Sequence, residues 1–258
     1  MTFQLPLWGI VQIKIDIALD MFSDIVECFP MQDAGLSLRA VARWTSLLPP
    51  VSLVSCILWS LTYNYDKATY THCEVPELLP SISSVIGGFE LQRFLWTFSV
   101  AMTTGPRIVF CKLQQNNLSE KFSSFKRIIK WNFYLNVTEI LCLLTLSLVP
   151  SSEIFLLHAT AFSVFIMTSL LSMTMVTYYI RDTRNRRTKK NIVTISWVCV
   201  FLAFYFYNRH NEYCEPYIYT GFAMCEYLVV GCNMVWHSLT VNQFSGFRMV
   251  AEPYMELK

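Results

Sequence analysis

Six long apolar runs dominate this 258-residue sequence, and they limit what it can fold into. A helix needs about 20 mostly apolar residues to cross the hydrocarbon core of a bilayer. Hydrocarbon offers a backbone no hydrogen-bond partners, so a crossing segment must satisfy its own polar groups, as a helix does. We predict an all-α, polytopic membrane protein with six transmembrane helices in one bundle. The predicted spans are residues 41–63, 93–113, 131–149, 154–180, 192–207 and 216–240.

The composition agrees with a membrane protein and argues against one broad class of function. Hydrophobic residues make up 54% of the chain and charged residues only 15%, which is more apolar surface than one soluble core of this length hides. The formal net charge is +2, so no bulk attraction to nucleic acid arises. No nucleic-acid partner is expected.

The uneven distribution of Lys and Arg predicts the orientation of the spans. Cytoplasmic loops of membrane proteins carry an excess of these residues. Outside the spans, fourteen lie on one side and only Lys67 and Arg209 on the other, so both termini are predicted to be cytoplasmic. Loops 64–92, 150–153 and 208–215 then face the lumen or the exterior. The fourteen residues are Lys14, Arg39, Lys121, Lys126, Arg127, Lys130, Arg181, Arg184, Arg186, Arg187, Lys189, Lys190, Arg248 and Lys258.

One domain is predicted at residues 39–240, because no internal repeat, low-complexity tract or linker divides the chain. Residues 1–38 are predicted to form a cytoplasmic extension that lies on the membrane surface or is disordered, since charges interrupt its apolar stretch. Residues 241–258 form a cytoplasmic tail. The fifth apolar run is short for a crossing, and its helix is expected to extend back to about Thr188.

The stretch Thr71–Trp96 is the one sizeable polar connection between apolar runs. Pro76 and Pro80 lack a backbone N–H, and the pair Gly87 and Gly88 favours a turn, so no regular helix is expected there. We interpret the stretch as an extracytoplasmic loop that caps the functional face. The alternative is an ordinary turn-rich connector.

Polar residues inside four of the spans recur at helical spacing, which places each set on one helix face. Ionisable groups in a bilayer are costly and usually face the bundle interior with a partner. Two interpretations remain: Glu139 and Arg107 form a structural ion pair between helices, or they act directly in binding or catalysis. The four sets are Arg93, Trp96, Thr103 and Arg107; Asn132, Asn136 and Glu139; His158, Ser169 and Ser172; and Glu226, Asn233 and His237.

A second group of polar residues lies at the predicted outer membrane face. Histidine suits acid–base chemistry near neutral pH, glutamate can orient it, and arginine can hold a phosphate. The alternative is that these residues end helices and meet lipid headgroups. The candidate catalytic residues are His72, His158, Glu153 and His210, and the candidate substrate-binding residues are Arg93, Arg209 and Asn211.

Other motifs are absent, and the cysteines indicate one disulfide. The sequence holds no Walker loop, GxGxxG, GxSxG or HExxH motif, and its nine cysteines show no zinc-site spacing, so no metal or cofactor is expected. Cys73 and Cys214 are the two cysteines outside both the predicted hydrocarbon and the cytosol. An oxidising compartment preserves a bond between them, which we predict. The alternative is two free thiols.

Short motifs spread over about residues 39–240 resemble those of one membrane-protein family. They are Cys56 to Leu61, Thr71-His72-Cys73, Val75-Pro76, Leu79-Pro80-Ser81, Ser83-Ser84, Ile86-Gly87-Gly88, Gln92-Arg93, Pro106-Arg107, Asn136-Val137 with Glu139, Ser151-Ser152-Glu153, His158, Phe165-Ile166, Tyr205-Phe206, Arg209-His210-Asn211, Tyr213-Cys214-Glu215, Glu226-Tyr227, Asn233-Met234 and His237. The family comprises six-span proteins related to post-GPI attachment to proteins factor two, with the DRAM proteins and the N-terminal part of the yeast CWH-type ceramide remodelase.

The resemblance implies lipid remodelling of glycosylphosphatidylinositol (GPI) anchors in Golgi or endoplasmic reticulum membranes. The expected step returns a fatty acid to the lyso-anchor at the lumenal leaflet, with membrane lipids and GPI-anchored proteins as partners and an unknown acyl donor. One hypothesis is an acyltransferase with His158 or His72 as base and Arg93 or Arg209 on the anchor phosphate. The other is a non-catalytic lipid-binding or cargo-escort subunit beside another membrane subunit. No HxxxxD motif decides between them.

Overall fold

The computed structural model describes residues 38–180 and 185–241, and every regular element in these residues is helical. The predicted cytoplasmic tail lies outside the described residues from residue 242 onward, as does the N-terminal extension up to residue 37. The helices are α1 Leu38–Tyr63, α2 Tyr65–Thr69, α3 Ile82–Gly87, α4 Glu90–Lys121, α5 Lys126–Leu148, α6 Phe155–Thr174, α7 Arg186–Tyr213 and α8 Ile218–Val241. A 3-10 turn at Ser123–Phe125 precedes α5, and a π-helical segment at Met175–Ile180 continues α6.

Five of the described helices are long and apolar enough to cross a membrane, and they coincide with five of the six predicted spans. The exception is the second predicted span, which lies in α4. This helix has 32 residues, but its second half carries many polar side chains. The five candidates are Ala40–Tyr63, Ser123–Leu148, Phe155–Ile180, Arg186–Tyr213 and Ile218–Thr240.

The six long helices form a closed ring in the order α1, α4, α5, α6, α7 and α8, with α8 packed again on α1. One apolar core lies between α5, α6, α7 and α8 and includes Leu170 and Met173, which are almost completely buried. A second core joins α1, α3, α4 and α8 around Cys56, Trp96 and Val230. In this ring, each long helix has one face toward the interior of the bundle and another toward the surroundings.

Successive long helices run in opposite directions, which gives the bundle two distinct ends. We call one the disulfide end; it holds the connections 64–89, 149–154 and 214–217, and Cys73 and Cys214 are bonded there. The opposite end holds the turn between α4 and α5 and the start of α7.

The stretch Thr71–Trp96 contains more helix than the sequence predicts. Pro76 and Pro80 do precede regular structure, but α3 begins directly after Ser81, whose Oγ accepts a hydrogen bond from the N–H of Ser84 at 3.2 Å. A serine at this position caps the start of a helix. The expectation of no regular helix was therefore wrong, because the prolines lie before the cap and the glycines only end the helix.

Candidate functional site

Glu77 ties the connection between α1 and α4 to the start of α8. Its buried carboxylate accepts hydrogen bonds from the N–H of Tyr219 at 3.3 Å and from the N–H and hydroxyl of Thr220 at 2.7 and 2.6 Å. The first N–H groups of a helix lack partners within the helix, and negative charge there is favoured by the helix dipole. Glu77 therefore caps α8 from a distant loop.

Two further links hold the same loop against α7 and α8. The predicted disulfide between Cys73 and Cys214 is present. The N–H of Tyr217 donates to the carbonyl of Pro76 at 3.1 Å. His72 is exposed, and its Nε2 lies 3.4 Å from the sulfur of Cys73. Because the two sulfurs are bonded to each other, neither is a thiolate ligand for a metal.

His210 lies beneath this loop with no exposed surface. Its Nδ1 is 3.7 Å from the carboxylate of Glu77, and neither ring nitrogen has a hydrogen-bond partner among the described residues. Its ring lies against those of His72 and Tyr219, with centroids 5.5 and 4.9 Å away. A side chain enclosed in this way contacts a lipid headgroup only if the loop moves.

The two arginines predicted to hold a phosphate are both paired with glutamates. Arg93 Nη1 lies 2.7 Å from Glu153 Oε1. Arg209 donates through Nε and Nη2 to both oxygens of Glu215 and through Nη1 to the hydroxyl of Tyr205. The hydrogen bonds from Arg209 hold the pKa of Glu215 below its usual value. Arg93 keeps more of its five N–H donors available to a phosphate than Arg209 does.

An elongated cavity of about 110 Å³ lies inside the ring, and most of its wall is apolar. At the disulfide end Ile82 and Ile86 of α3 bound it, and toward the opposite end it reaches Thr45 of α1 and Gln114 of α4. Mostly apolar pockets with a few polar groups are typical of small-ligand sites. The ionisable and amide side chains in its wall are Arg107, Gln114, His158, Glu226, Asn233 and His237.

His158 lies in the first turn of α6 and forms part of the cavity wall at the disulfide end. Its Nδ1 is 2.7 Å from the carbonyl oxygen of Val149. A carbonyl only accepts, so Nδ1 carries a proton, and in the neutral ring Nε2 is an acceptor without a partner in the described part of the chain. The connection that orients His158 also contains Glu153, the partner of Arg93.

Glu226 is a second buried ionisable group in the cavity wall. Its Oε2 accepts a hydrogen bond from the N–H of Ile82 at 2.8 Å, which docks α3 on α8. The other carboxylate oxygen makes no hydrogen bond to any described residue. The structure thus places Glu226 and His158, from two different helices, in the wall of one cavity.

A cluster around Glu139 lies deeper in the bundle. Its Oε1 accepts a hydrogen bond from Asn233 at 2.9 Å and lies 2.8 Å from His237 Nε2 and 3.3 Å from Arg107 Nη2. The short contact between Nε2 and Oε1 requires a proton between them, so His237 is the donor. The predicted pair of Glu139 and Arg107 is therefore present, within a larger network.

The polar faces of α5, α6 and α8 meet in the interior, as the spacing predicts. Asn233 donates to the hydroxyl of Ser169 at 2.6 Å, and Ser172 donates to Oδ1 of Asn132 at 2.9 Å. Asn136 instead donates to the backbone carbonyl of Asn132 within its own helix. Asn136 is buried but makes no side-chain contact with the Glu139 cluster that the structure records.

The predicted outer group is divided among several places. His158 lines the cavity, His210 is enclosed beneath the loop, and His72 is exposed. Arg209 and Asn211 lie near the end of α7, where Asn211 is exposed. The catalytic and binding roles of these residues stay predictions. Of this group, only His158 lies in the cavity wall.

Glu77 is the important residue that the sequence reasoning missed. Its partners Tyr219 and Thr220 lie 142 and 143 residues away, so no local pattern reveals them. The one available signal was an acidic residue between two prolines in a loop already predicted to cap the functional face.

The family described as the Frag1/DRAM/Sfk1/Cwh43P N-terminal domain matches residues 38–247. The chain belongs to this family. The match begins at the first residue of α1 and includes all eight described helices, so the cavity and the Glu139 cluster both lie within the Frag1/DRAM/Sfk1/Cwh43P domain.

Three curated relatives are similar to this chain over most of its length. The chain is 34% identical over 221 residues to Post-GPI attachment to proteins factor 2 of Caenorhabditis elegans, covering 79% of this chain and 84% of that protein. It is 32% identical over 236 residues to the Drosophila melanogaster protein of the same name, covering 87% and 90%. It is 33% identical over 217 residues to Acyltransferase PGAP2 of Xenopus tropicalis, covering 79% and 86%. No solved structure matches the chain.

Proposed function

We propose that this protein remodels the lipid of GPI anchors by returning a fatty acid to the lyso-anchor. The observation that carries the proposal is an apolar cavity whose wall presents the oriented imidazole of His158 at the disulfide end. Such a cavity accommodates an acyl chain with its reactive end beside a proton acceptor. The names of the worm and fly relatives, and of the frog acyltransferase, support this assignment.

In the proposed reaction, His158 accepts one proton and later returns it. Nε2 accepts the proton of the free glycerol hydroxyl of the lyso-anchor while the hydroxyl oxygen forms an ester bond to the acyl carbon of the donor. The bond from that carbon to the donor's leaving group breaks, and the imidazole returns the proton to the leaving group. The donor in this scheme is an ester or thioester of a long-chain fatty acid, and it is the only co-substrate.

Arg93 is the residue that we assign to the anchor phosphate. It pairs with Glu153, which belongs to the same connection as the carbonyl that orients His158, and it has N–H donors to spare. A phosphate accepts charge-assisted hydrogen bonds from a guanidinium group. The anchor phosphate therefore replaces Glu153 as the partner of Arg93 when the anchor binds. The residues that we assign to the outer rim of the site, toward the anchor glycan, are His72, Arg209 and Asn211.

The proposed topology has six spans, with α4 as the second, both termini in the cytoplasm, and the disulfide end in the lumen of the Golgi or the endoplasmic reticulum. Three observations support it: the position of α4 within the ring, the bond between Cys73 and Cys214, and the concentration of basic residues toward the opposite end. A GPI anchor in the lumenal leaflet then meets the end of the bundle that holds His158.

The function is tested with the full-length protein in nanodiscs, a lyso-GPI-anchored protein and a labelled acyl donor. We expect ester formation that His158→Gln reduces at least 100-fold, because general-base catalysis contributes about that much or more. Glu212→Gln, at an exposed position near the end of α7, is the control and should change the rate little. Full activity of His158→Gln would place the base elsewhere. Binding of lyso-GPI without transfer from any donor would instead identify a non-catalytic lipid-binding or escort subunit.

A further inference from the structure

The cavity changes character part-way along its length. From His158 toward the opposite end its wall on α6 is formed by Phe162 and Phe165. The wall then becomes polar at three side chains, which we call the polar band: Arg107, Asn233 and His237. Beyond the polar band the wall is mixed: it includes Phe110 and Cys111 together with the hydroxyls and amide of Thr45, Gln114 and Thr240.

The apolar part of the cavity is about as long as one membrane acyl chain. Ser169 marks the level of the polar band on α6, because it accepts a hydrogen bond from Asn233. It follows His158 by eleven residues, which is about 16 Å along a helix that rises 1.5 Å per residue. The hydrocarbon core of a bilayer is about 30 Å thick, so the chains of one leaflet span about 15 Å.

The polar band opposes contact with the methyl end of a chain. Arg107 Nη2 donates to Glu139 Oε1, and Nε and Nη1 of Arg107 have no hydrogen-bond partner among the described residues. The remaining donors belong to a side chain that lines the cavity, and covering them with hydrocarbon would bury them without acceptors, which is unfavourable. Glu139 holds Arg107, Asn233 and His237 together, so the band does not move aside easily.

We propose that the polar band sets the length of the acyl chain that this protein transfers. The inference rests on the proposed function, which places the acyl carbon at His158 and directs the chain toward the band. A chain that ends at the band fills the apolar part of the cavity without touching the band. A longer chain brings methylenes against the N–H donors of Arg107, which is unfavourable, so the selected chain spans about one leaflet.

The first test measures the length of the transferred chain. Full-length protein in nanodiscs receives lyso-GPI-anchored protein and an equimolar mixture of donors with saturated chains of increasing length, and mass spectrometry reads the products. Val230→Phe fills part of the cavity above the band and should shift the products toward shorter chains, lowering the ratio of the wild-type product to the product two methylenes shorter about fivefold or more, because the full-length chain no longer fits without overpacking. Leu228→Phe, on the exposed side of the same helix, is the matched control.

A second variant removes the charges that hold the polar band together. The double substitution Arg107→Met with Glu139→Gln eliminates both charges together, so neither is left buried without its partner. It should extend the product distribution toward longer chains. An unchanged distribution in this variant and in Val230→Phe, with transfer intact, would overturn the inference while leaving the proposed function in place.

A third readout does not depend on catalysis. A fatty acid with a photoreactive diazirine at its terminal carbon is bound to the wild-type protein, irradiated, and the labelled peptide is sequenced. We expect label on the segment of α8 between Val230 and His237. Label confined to exposed positions such as Leu228 would show that the chain does not end at the polar band, whether or not transfer is observed.

Discussion

Glu77 and Thr220 are joined by two hydrogen bonds to one carboxylate oxygen, although 143 residues separate them. The contact fixes a loop that contains the disulfide cysteine Cys73 onto the first turn of α8. Ile82, a few residues later in that loop, donates to Glu226 and forms part of the cavity wall. The cap on α8 and the cavity wall at the disulfide end therefore belong to one structural unit.

Replacing Glu77 by Ala should destabilise the protein strongly. The substitution leaves the N–H groups of Tyr219 and Thr220 without their acceptor, and hydrogen bonds to a charged group contribute about 1.5–3 kcal/mol. Thermal unfolding of the purified protein in detergent measures the loss. Glu212→Ala, an exposed carboxylate near the end of α7, is the control and should leave the midpoint unchanged. Equal midpoints for both variants would contradict the capping role.

Loss of the disulfide should lower stability by about 3–5 kcal/mol, because the bond closes a loop of 141 residues in the unfolded chain. Cys73→Ser, Cys214→Ser and the double variant should lose the same amount, since each removes the same bond. Mass spectrometry without reduction should also detect a linked peptide pair containing both cysteines. Alkylation of both thiols in unreduced protein would disprove the bond.

The sequence predicts those features of this fold that depend on local pattern. Apolar runs of sufficient length located five helices, and helical spacing placed Glu139 and His237 on interior faces where they now meet. The Cys73–Cys214 bond followed from the orientation of the loops. These inferences need only the chain's own periodicity and a membrane as the surroundings.

Other features depend on packing between distant segments, which periodicity does not encode. The short helix α3 forms between proline and glycine signals because Ser81 caps it and Glu226 receives the N–H of Ile82. His210 and His158 are both predicted at the outer membrane face, yet the loop buries His210 and His158 lies in the cavity wall. The packing of the helices in the ring determines this difference.

Glu139→Leu should reduce the folded yield or the unfolding free energy far more than Glu139→Gln. Leucine leaves the partly buried Arg107 and His237 without their acceptor, and breaking a buried charged pair in this way costs up to about 3–5 kcal/mol. Glutamine retains an acceptor oxygen for both donors. Detergent-solubilised yield and thermal unfolding measure the two variants side by side. Wild-type behaviour of Glu139→Leu would show that these helix faces do not meet.

The ion pair of Arg209 and Glu215 predicts a small pH dependence of stability. Hydrogen bonds from Arg209 lower the pKa of Glu215 from its usual value of 4.5. A carboxyl with a lowered pKa stabilises the fold above its unfolded-state pKa and loses this contribution as pH falls through the folded-state value. The melting temperature of the wild type should therefore exceed that of Glu215→Gln above about pH 5 and converge with it in acid.

Salt provides the internal check on this pH effect. The pair is exposed, so added salt should shrink the difference between wild type and Glu215→Gln. A difference that persists unchanged from pH 7 down to pH 3, or that grows on acidification, would show that some other interaction of Glu215 is responsible.

The crossing of α4 decides the topology, and labelling of introduced cysteines tests it. Glu90 begins α4 and Ser124 follows its end, and both are exposed. In a Cys28→Ser background, which removes a cysteine from the predicted cytoplasmic extension, a membrane-impermeant maleimide should label Ser124→Cys in sealed Golgi vesicles. Glu90→Cys should react only after permeabilisation, because six spans place it in the lumen. Labelling of both positions in sealed vesicles would mean that α4 does not cross, and the loop over the cavity would then lie on the same side as the turn between α4 and α5.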